Sequence, residues 1–290
     1  MSTEIREGFV ETQNGKIHYI ERPGKGKTLH FLHANGFCAG VYRPFFSHFD
    51  NDFHIIASDV RGHGDSDGPG TSRIVDWEVY ARDLGEFLEK KTELPIIGLG
   101  HSLGAVFTYM ASSIFQGLFS KIVMIDPVIL PSRYLMTLRL LSLFGQRSRV
   151  PIAKLARRRK SSFRDRQEAL ERFSSGRGMF KSWEDDYVES YLDYALMEKD
   201  GALVLKCDPE TEAQFFESVP ANIYSYARHI QCPVMAIRGE TSDTFLYEAE
   251  KKLVKKMPHC EVVTVAGSGH FIPMEKPAEC AGIIDRFIKK

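Results

Sequence analysis

The amino-acid sequence predicts an α/β fold with a mostly parallel central sheet, helices on both faces and an inserted helical cap. Short continuous apolar runs, such as residues 53–58, alternate with segments of helical periodicity, such as residues 74–91. Strands that helices cover on both sides need not alternate apolar and polar residues, so continuous runs favour a parallel sheet. Residues 128–230 break this alternation, because they show helical periodicity without a clear strand.

Each element follows from a local signal. The pair Asn14-Gly15 lies between two alternating segments and predicts a β-hairpin over residues 8–21. Further strands are expected at residues 28–33, 53–58, 94–98, 122–125, 233–237 and 261–265, and core helices at 74–91 and 103–115. We therefore expect a core domain of residues 1–127 and 231–290, and a cap of residues 128–230 with helices at 135–144, 163–173 and 187–197.

Composition excludes several classes of protein. The 290 residues include 38 Lys and Arg and 38 Asp and Glu, which argues against a nucleic-acid binder that depends on overall positive charge. The chain has no apolar run long enough for an integral membrane segment and no apolar secretory signal at its start. Its five cysteines are scattered without C-x-x-C spacing, which favours a reducing compartment and predicts a cytoplasmic protein. No metal and no cofactor is predicted, and a homodimer is left open.

The expected cap has an uneven distribution of charge. Residues 133–181 contain 14 basic and 3 acidic residues, whereas residues 184–217 contain 11 acidic and 2 basic ones. The simple interpretation is that the two halves face each other or form solvated helix surfaces. The alternative is a basic face that attracts an anionic substrate or an anionic membrane surface.

A candidate nucleophile lies in the segment 100–104, which fits the pattern G-x-S-x-G around Ser102. It follows an apolar strand and leads into a helix, the strand–turn–helix setting that this motif requires. The segment 64–68 around Ser66 also fits the pattern, but turn residues follow it, so Ser66 is predicted to be a loop residue.

A serine nucleophile needs a base and an acid that orients the base. His270 follows the last strand in a loop of small residues, at the sheet edge that also carries Ser102. Asp243, in the loop after the preceding strand, is the favoured acid and gives the order Ser, Asp, His. Asp126 directly follows the strand at 122–125 and is the rival, and Glu240 is a third candidate.

Acyl transfer also needs hydrogen-bond donors for the negative oxygen that develops on the carbonyl. We expect one from the backbone N–H of Leu103, directly after the nucleophile. The second is expected from the loop at 33–37, with Asn35 favoured and Gly36 or Phe37 as alternatives.

These segments together resemble the α/β-hydrolase fold superfamily, in its capped serine hydrolase branch. Residues 33–36 resemble the His-Gly oxyanion loop, with Ala34 in place of the usual glycine, and residues 59–66 resemble the loop after the fourth strand. Residues 100–104 resemble the nucleophile elbow of esterases and lipases. A serine at the centre of the elbow argues against haloalkane dehalogenases and epoxide hydrolases, in which an aspartate holds this position.

The predicted function is hydrolysis of a carboxylic ester or related acyl bond in a small to medium-sized, partly apolar substrate, through a Ser-His-Asp triad and an acyl-enzyme intermediate. We expect an apolar acyl pocket on one face of a cap helix, lined by Leu135, Leu138, Leu141 and Phe144. Lactonase, thioesterase and carbon–carbon bond hydrolase activities need the same catalytic residues and remain alternatives. A non-catalytic ligand receptor on this fold is the alternative from another class.

Overall fold

The computed structural model describes residues 5–70, 73–175 and 178–290. Eight strands form the main sheet, and their order across it is β1-β2-β4-β3-β5-β6-β10-β11. They are β1 (Arg6–Thr12), β2 (Gly15–Arg22), β3 (Thr28–Leu32), β4 (His54–Ser58), β5 (Ile96–His101), β6 (Phe119–Ile125), β10 (Val234–Gly239) and β11 (Cys260–Val265).

The sheet is parallel except at one end. β1 and β2 form the predicted antiparallel hairpin, and β2 pairs antiparallel with β4. All pairs from β4 to β11 are parallel. The predicted α/β fold with a mostly parallel sheet is therefore confirmed.

Helices cover both faces of the sheet. The helices outside the insertion are α1 (Arg43–Phe46), α2 (Glu78–Lys91), α3 (Leu103–Ile114), α9 (Tyr247–Lys256), α10 (Ile272–Glu275) and α11 (Pro277–Lys289). Neighbouring residues of one strand belong to opposite hydrophobic clusters: Ile55 of β4 packs with Phe45 and Phe287, whereas Ile56 packs with Phe87. Burial on both faces explains the continuous apolar runs in the sequence.

The described residues between β6 and β10 add no strand to the main sheet. It contains α4 (Ser132–Leu143), α5 (Pro151–Arg157), α6 (Arg166–Phe173), α7 (Asp185–Tyr194) and α8 (Pro209–Glu217). We call residues 128–230 the insertion. The helices expected at 135–144, 163–173 and 187–197 correspond to α4, α6 and α7, with shifted ends.

The insertion also holds strands, which corrects the expectation that it has none. β7 (Ser162–Phe163), β8 (Leu196–Lys199) and β9 (Ala202–Leu205) form a small antiparallel sheet in the order β7-β9-β8. Asp200 and Gly201 connect β8 to β9 with φ values of 51° and 76°. An Asp-Gly pair is a strong hairpin signal, and here the short strands obscured it.

Candidate active site

The turn between β5 and α3 holds Ser102 at φ 55°, in the left-handed region that side chains rarely adopt. The flanking glycines make this turn sterically feasible. A Cβ on Gly104 would lie 2.2 Å from the carbonyl oxygen of Leu32, and one on Gly100 would lie 2.5 Å from the backbone nitrogen of Ala105. The G-x-S-x-G spacing is therefore a packing requirement of this strand, turn and helix.

Three polar side chains are hydrogen-bonded in series at the carboxyl end of the sheet. The Ser102 hydroxyl lies 2.9 Å from Nε2 of His270, and Nδ1 of His270 lies 2.6 Å from Oδ2 of Asp126. An ionised carboxylate only accepts hydrogen bonds, so Nδ1 carries the hydrogen and Nε2 offers its lone pair to the hydroxyl. The imidazole is thus in the tautomer that can take the serine proton.

Asp126 is completely buried and its carboxylate accepts three hydrogen bonds. Besides His270, the donors are the backbone N–H of Gly239 at 3.0 Å and the hydroxyl of Ser242 at 2.5 Å. A buried carboxylate needs such partners, since an unpaired buried charge is costly. Three donors from two different loops fix the orientation of the carboxylate.

The structure corrects the prediction of Asp243 as the acid. Asp243 is exposed, and its carboxylate accepts a hydrogen bond from the hydroxyl of Thr244 at 3.3 Å, while His270 contacts Asp126 instead. Glu240 is also turned elsewhere, because it accepts a hydrogen bond from the N–H of Gly267. The order Ser, Asp, His holds for Asp126 and for Asp243, so chain order could not separate them.

Strand order explains why Asp126 reaches the site. Ser102 and Asp126 directly follow β5 and β6, which are neighbours in the sheet with His101 paired to Ile125. Asp243 follows β10, the next strand out, and lies four residues beyond its end. Its neighbour Ser242 is the residue of that loop that reaches the site, by donating to Asp126.

A second buried chain of hydrogen bonds links the three loops around Ser102. Nε2 of His101 lies 2.9 Å from the carbonyl oxygen of His270, so it carries the hydrogen and donates. Nδ1 of His101 therefore accepts from the Tyr42 hydroxyl at 2.7 Å, and that hydroxyl accepts from the N–H of Ala34 at 3.2 Å. Burial, assisted by the nearby His270, holds the pKa of His101 well below its usual value, so this ring stays neutral.

The loop after β3 contains the predicted oxyanion donor Asn35. Its side chain is fixed at both ends: Oδ1 accepts from Nε2 of His63 at 3.0 Å, and Nδ2 donates to the Glu212 carbonyl in the insertion at 2.9 Å.

The backbone N–H groups of two other predicted donors differ in their partners. The N–H of Phe37 donates to the Ala34 carbonyl in a turn, which removes Phe37 as an oxyanion donor. Leu103 is the first residue of α3, where backbone N–H groups have no acceptor within the helix.

His33 and His63 have structural roles. His63 is fully buried, and burial together with the adjacent His33 lowers its pKa to about 3. Nδ1 of His33 donates to the Ala34 carbonyl at 2.7 Å, and its Nε2 accepts from the N–H of Val60 at 2.9 Å. Both rings are neutral and hold the loops after β3 and β4 in place.

Aromatic side chains form a wall beside the site. Each pair of rings among Phe37, Trp183 and Phe271 has its centroids 5.6 to 5.9 Å apart. Phe271 directly follows His270, and its ring lies 5.0 Å from the imidazole. The wall joins the loop after β3, the loop after β11 and the insertion, and no pattern in the sequence had indicated it.

The four residues expected to share one apolar face of a cap helix differ in exposure. Leu135 is buried and Leu138 and Leu141 are half-buried, but Phe144 is 75% exposed. The helix ends at Leu143, so the helical spacing no longer fixes the position of Phe144.

The two oppositely charged halves of the insertion are paired, as the simple interpretation predicted. Arg157 of α5 binds Glu210 at 2.6 Å and Glu217 at 2.5 Å, both on α8.

A further ion pair joins the two halves beside the loop after β3. Arg159 binds Glu212 at 2.7 Å and donates to the Tyr191 hydroxyl at 2.5 Å. The pair of Arg159 and Glu212 lies against Gly36 in the loop of Asn35, so it fixes the insertion against the sheet edge.

Among the described residues, His18, Asp59 and Asp65 form the one group spaced closely enough to suggest a metal ion. Protein partners already engage these atoms. Asp59 accepts from Nδ1 of His18 and from the N–H groups of Ala39 and Asp65, and Lys206 pairs with Asp65. The group is therefore explained as a hydrogen-bonded link between the core and the insertion.

Comparisons with known proteins agree with this architecture. The chain is 26% identical over 269 residues to 2-(acetamidomethylene)succinate hydrolase of Mesorhizobium japonicum, which covers 93% of this chain and 90% of that protein. It is 32% identical over 120 residues to the monoglyceride lipase of Rattus norvegicus, which covers 39% of each protein. The crystal structure of an E-2-(acetamidomethylene)succinate hydrolase superposes with a TM-score of 0.82 at 23% identity, covering 99% of this chain and 100% of that one.

A family model matches most of the chain. The model described as the alpha/beta hydrolase fold aligns with residues 27–277, from the residue before β3 to the first residue of α11. The match therefore includes Ser102, Asp126 and His270 and the whole insertion. This chain belongs to the alpha/beta hydrolase family.

Proposed function

We propose that the protein is a serine hydrolase that cleaves a carboxylic acyl bond through a covalent acyl-enzyme. The observation that carries this proposal is the continuous series of hydrogen bonds from Asp126 through His270 to Ser102. A serine hydroxyl is a weak nucleophile, and this arrangement activates it by supplying an oriented base.

The first step forms the acyl-enzyme. Oγ of Ser102 attacks the carbonyl carbon while its proton passes to Nε2 of His270. The buried carboxylate of Asp126 stabilises the imidazolium that results. Collapse of the tetrahedral intermediate breaks the bond to the leaving group, which takes the proton from Nε2. Water then repeats the sequence, releasing the acid and restoring the serine hydroxyl.

The backbone N–H groups of Leu103 and Asn35 are proposed to bind the oxygen that becomes negative. Leu103 begins α3, so the positive end of the helix dipole reinforces its N–H. Removing one such donor costs about 3 to 4 kcal/mol in a model protease. The hydrogen bonds of the Asn35 side chain to His63 and Glu212 hold this backbone in position.

The insertion is proposed to act as a cap that shapes the substrate site. Trp183 contributes to the aromatic wall, and the Glu212 carbonyl accepts a hydrogen bond from the Asn35 side chain. A wall of Phe37, Trp183 and Phe271 favours a substrate with an apolar or planar group next to the scissile carbonyl.

Carboxylic ester hydrolysis is the first candidate for the bond that is cleaved, and amide hydrolysis is the second. The amide candidate rests on the relative that spans 93% of this chain, whose name describes a succinate bearing an acetamide group. The ester candidate is supported by the likeness to a monoglyceride lipase over a shorter region. Both reactions need the same nucleophile, base and acid.

Hydrolysis of matched chromogenic substrates tests the proposal. We expect wild-type protein to hydrolyse p-nitrophenyl acetate, and p-nitroacetanilide if amides are substrates. Ser102→Ala should abolish the activity, lowering kcat by roughly a factor of a million as in a comparable serine protease. His270→Ala should have an effect of similar size.

Ser66→Ala is the matched control, because Ser66 lies at the centre of the other G-x-S-x-G match. Its hydroxyl donates to the Asp59 carbonyl and accepts from the backbone N–H of His18, both at 2.8 Å, so its partners do not belong to the series described above. We expect this variant to retain activity. A folded wild-type protein that hydrolyses neither ester nor amide would favour the ligand-receptor alternative.

A further inference from the structure

The outer surface of the insertion exposes an unusual amount of apolar side chain. Of the 13 large apolar residues that are exposed among the described residues, seven lie between residues 134 and 155. They are Tyr134, Met136, Leu140, Leu143, Phe144, Ile152 and Leu155, and we call them the outer patch. Exposed apolar clusters on soluble domains mark interaction sites.

Helix α4 is apolar on two opposite faces. Its inner face contributes Leu138 and Leu141 to a cluster with Ala153 and Ala156 of α5. Its outer residues Met136, Leu140 and Leu143 follow the spacing i, i+4, i+7 and are 47 to 71% exposed, and Phe144, directly after the end of the helix, is 75% exposed. Packing within the protein accounts for the inner face only.

Helix α5 repeats this arrangement on a smaller scale. Ala153 and Ala156 are buried, while Ile152 and Leu155 are 49% and 67% exposed. The exposed residues are three apart, so they are neighbours on one side of the helix. Each of the two helices thus turns small or half-buried residues inward and larger apolar residues outward.

The same segment is strongly basic. Residues 127–164 contain ten Lys and Arg and no Asp or Glu. Five of these ten side chains form ion pairs: Arg133, Arg157, Arg159, Lys160 and Arg164. Four others are exposed and form no ion pair within the described ranges: Arg139, Arg149, Lys154 and Arg158. Their positive charge therefore lies in the same segment as the outer patch and is not neutralised by an ion pair among the described residues.

We propose that the outer patch docks onto an anionic lipid surface. Apolar side chains flanked by Lys and Arg are the combination that binds the interface of a membrane with acidic headgroups. In the described part of the chain, no helix is long and apolar enough to cross a bilayer, so the helices would lie on the surface. Leu143 and Phe144, the most exposed of the seven, enter the headgroup region.

Charge favours lipid over a second copy of this chain as the occupant. A twofold dimer through the outer patch would place the basic face of one copy against that of the other. The four unpaired cations of one copy would then repel the same four cations of the other copy across an interface of low dielectric constant. An acidic bilayer supplies the opposite charge and accepts the apolar side chains together.

Vesicle flotation tests this proposal with the full-length protein. We expect wild-type protein to float with phosphatidylcholine vesicles in which one lipid in three is phosphatidylglycerol, and not with pure phosphatidylcholine. Raising the salt from about 0.1 M to about 0.5 M should weaken the binding, because the attraction depends on exposed charges. The double variant Leu143→Ser/Phe144→Ser should reduce partitioning at least tenfold, and Arg139→Gln/Lys154→Gln should reduce it several-fold.

Phe9→Ser is the control. Phe9 is also an exposed apolar residue, at 57%, but it lies on β1 of the main sheet and not in the insertion. It should float like wild type, and the melting temperature checks that every variant is folded. Three results would overturn the proposal: no flotation of wild type with anionic vesicles, equal flotation with neutral ones, or equal loss in the Phe9→Ser control. A dimer by light scattering that Leu143→Ser/Phe144→Ser dissociates would identify a second copy as the occupant instead.

Discussion

The loops at the carboxyl edge of the sheet and the outer helices of the insertion are built on opposite principles. Around Ser102, the hydroxyls, the carboxylate and the His101 imidazole are buried, the His270 imidazole is half-buried, and hydrogen bonds of 2.5 to 3.2 Å join them. On α4 and α5, large apolar residues and unpaired cations face outward. The first region fixes atoms in one geometry, as bond-breaking chemistry requires, and the second exposes an apolar and basic surface to a partner outside the molecule.

This contrast also shows where substitutions should matter. At the sheet edge, the side chains of Asp126, His101 and Tyr42 each bond to groups on other elements, so removing one partner leaves a buried polar group unsatisfied. On the outer helices, a substitution changes solvation and leaves the packing intact. Four experiments, ordered by expected effect, test this contrast.

The largest effect is expected from removing the charge of the buried acid. Asp126→Asn should lower kcat by roughly 10³- to 10⁴-fold, because the amide favours the wrong tautomer of His270. Asp243→Asn is the matched variant and should stay within about twofold of wild type, since Asp243 is exposed and contacts Thr244. Steady-state kinetics of ester hydrolysis measure both, and a reversed ranking would restore Asp243 as the acid.

The next effect concerns stability within the insertion. Trp183→Ala should lower the free energy of unfolding by about 3 to 5 kcal/mol, because the buried indole packs against Phe37 and Phe271. Phe144→Ala should change it by less than about 0.5 kcal/mol, since Phe144 is 75% exposed. Urea denaturation measures both changes. Equal losses would mean that Phe144 is packed in solution.

A smaller effect is expected at the hydroxyl that links the loop after β3 to His101. Tyr42→Phe removes the donor to Nδ1 of His101 and the acceptor of the Ala34 N–H. Leaving these groups unsatisfied costs about 1 to 3 kcal/mol, and we expect kcat to fall about tenfold with little change in KM.

Tyr187→Phe is the control for Tyr42→Phe. Tyr187 is also buried, but its hydroxyl has no hydrogen-bond partner within the described residues. This variant should retain wild-type kcat. If both variants lose activity equally, the effect comes from repacking of buried tyrosines and the hydrogen bonds of Tyr42 have no positioning role.

The smallest effect is a pH dependence of stability from His18. Burial opposes protonation of His18, but the hydrogen bond and charge of Asp59, with Asp65 and Glu7 nearby, outweigh it and raise the pKa. A pKa raised in the folded state stabilises the protein fully below the unfolded value, near 6.5, and this stability is lost as the pH rises through the folded value.

We therefore expect the free energy of unfolding to decrease from pH 6 upward, with a slope below about 1.4 kcal/mol per pH unit, the limit for one proton. His18→Gln should remove this component of the pH dependence. Chemical denaturation at several pH values measures it, and an unchanged pH profile in the variant would assign the effect to another group.

The fold, and the meeting of Ser102 with His270 in the candidate site, could be predicted from the sequence because both depend on local patterns. The elbow at Ser102 needs glycines on each side, and the parallel strands need continuous apolar runs, so both leave a visible signature. The hairpin at β8 and β9 was missed although Asp200-Gly201 signalled it, because the flanking strands are only four residues long.

The acid and the supporting residues depend on contacts that the sequence does not encode locally. Asp126 and Asp243 each follow a strand of the sheet, and only the strand order shows that β6 lies next to β5. Tyr42 and Trp183 have no motif at all. Their roles arise from loops that meet after folding, 59 residues away from His101 in the case of Tyr42.

Mass spectrometry of the protein after reaction with a fluorophosphonate tests most directly whether Ser102 is an activated nucleophile, because this reagent reports an activated serine without a known substrate. We expect one adduct per chain, on the peptide that contains Ser102, and strongly reduced labelling in His270→Ala. A single adduct on another residue such as Ser66, or a folded protein that takes no label, would contradict it.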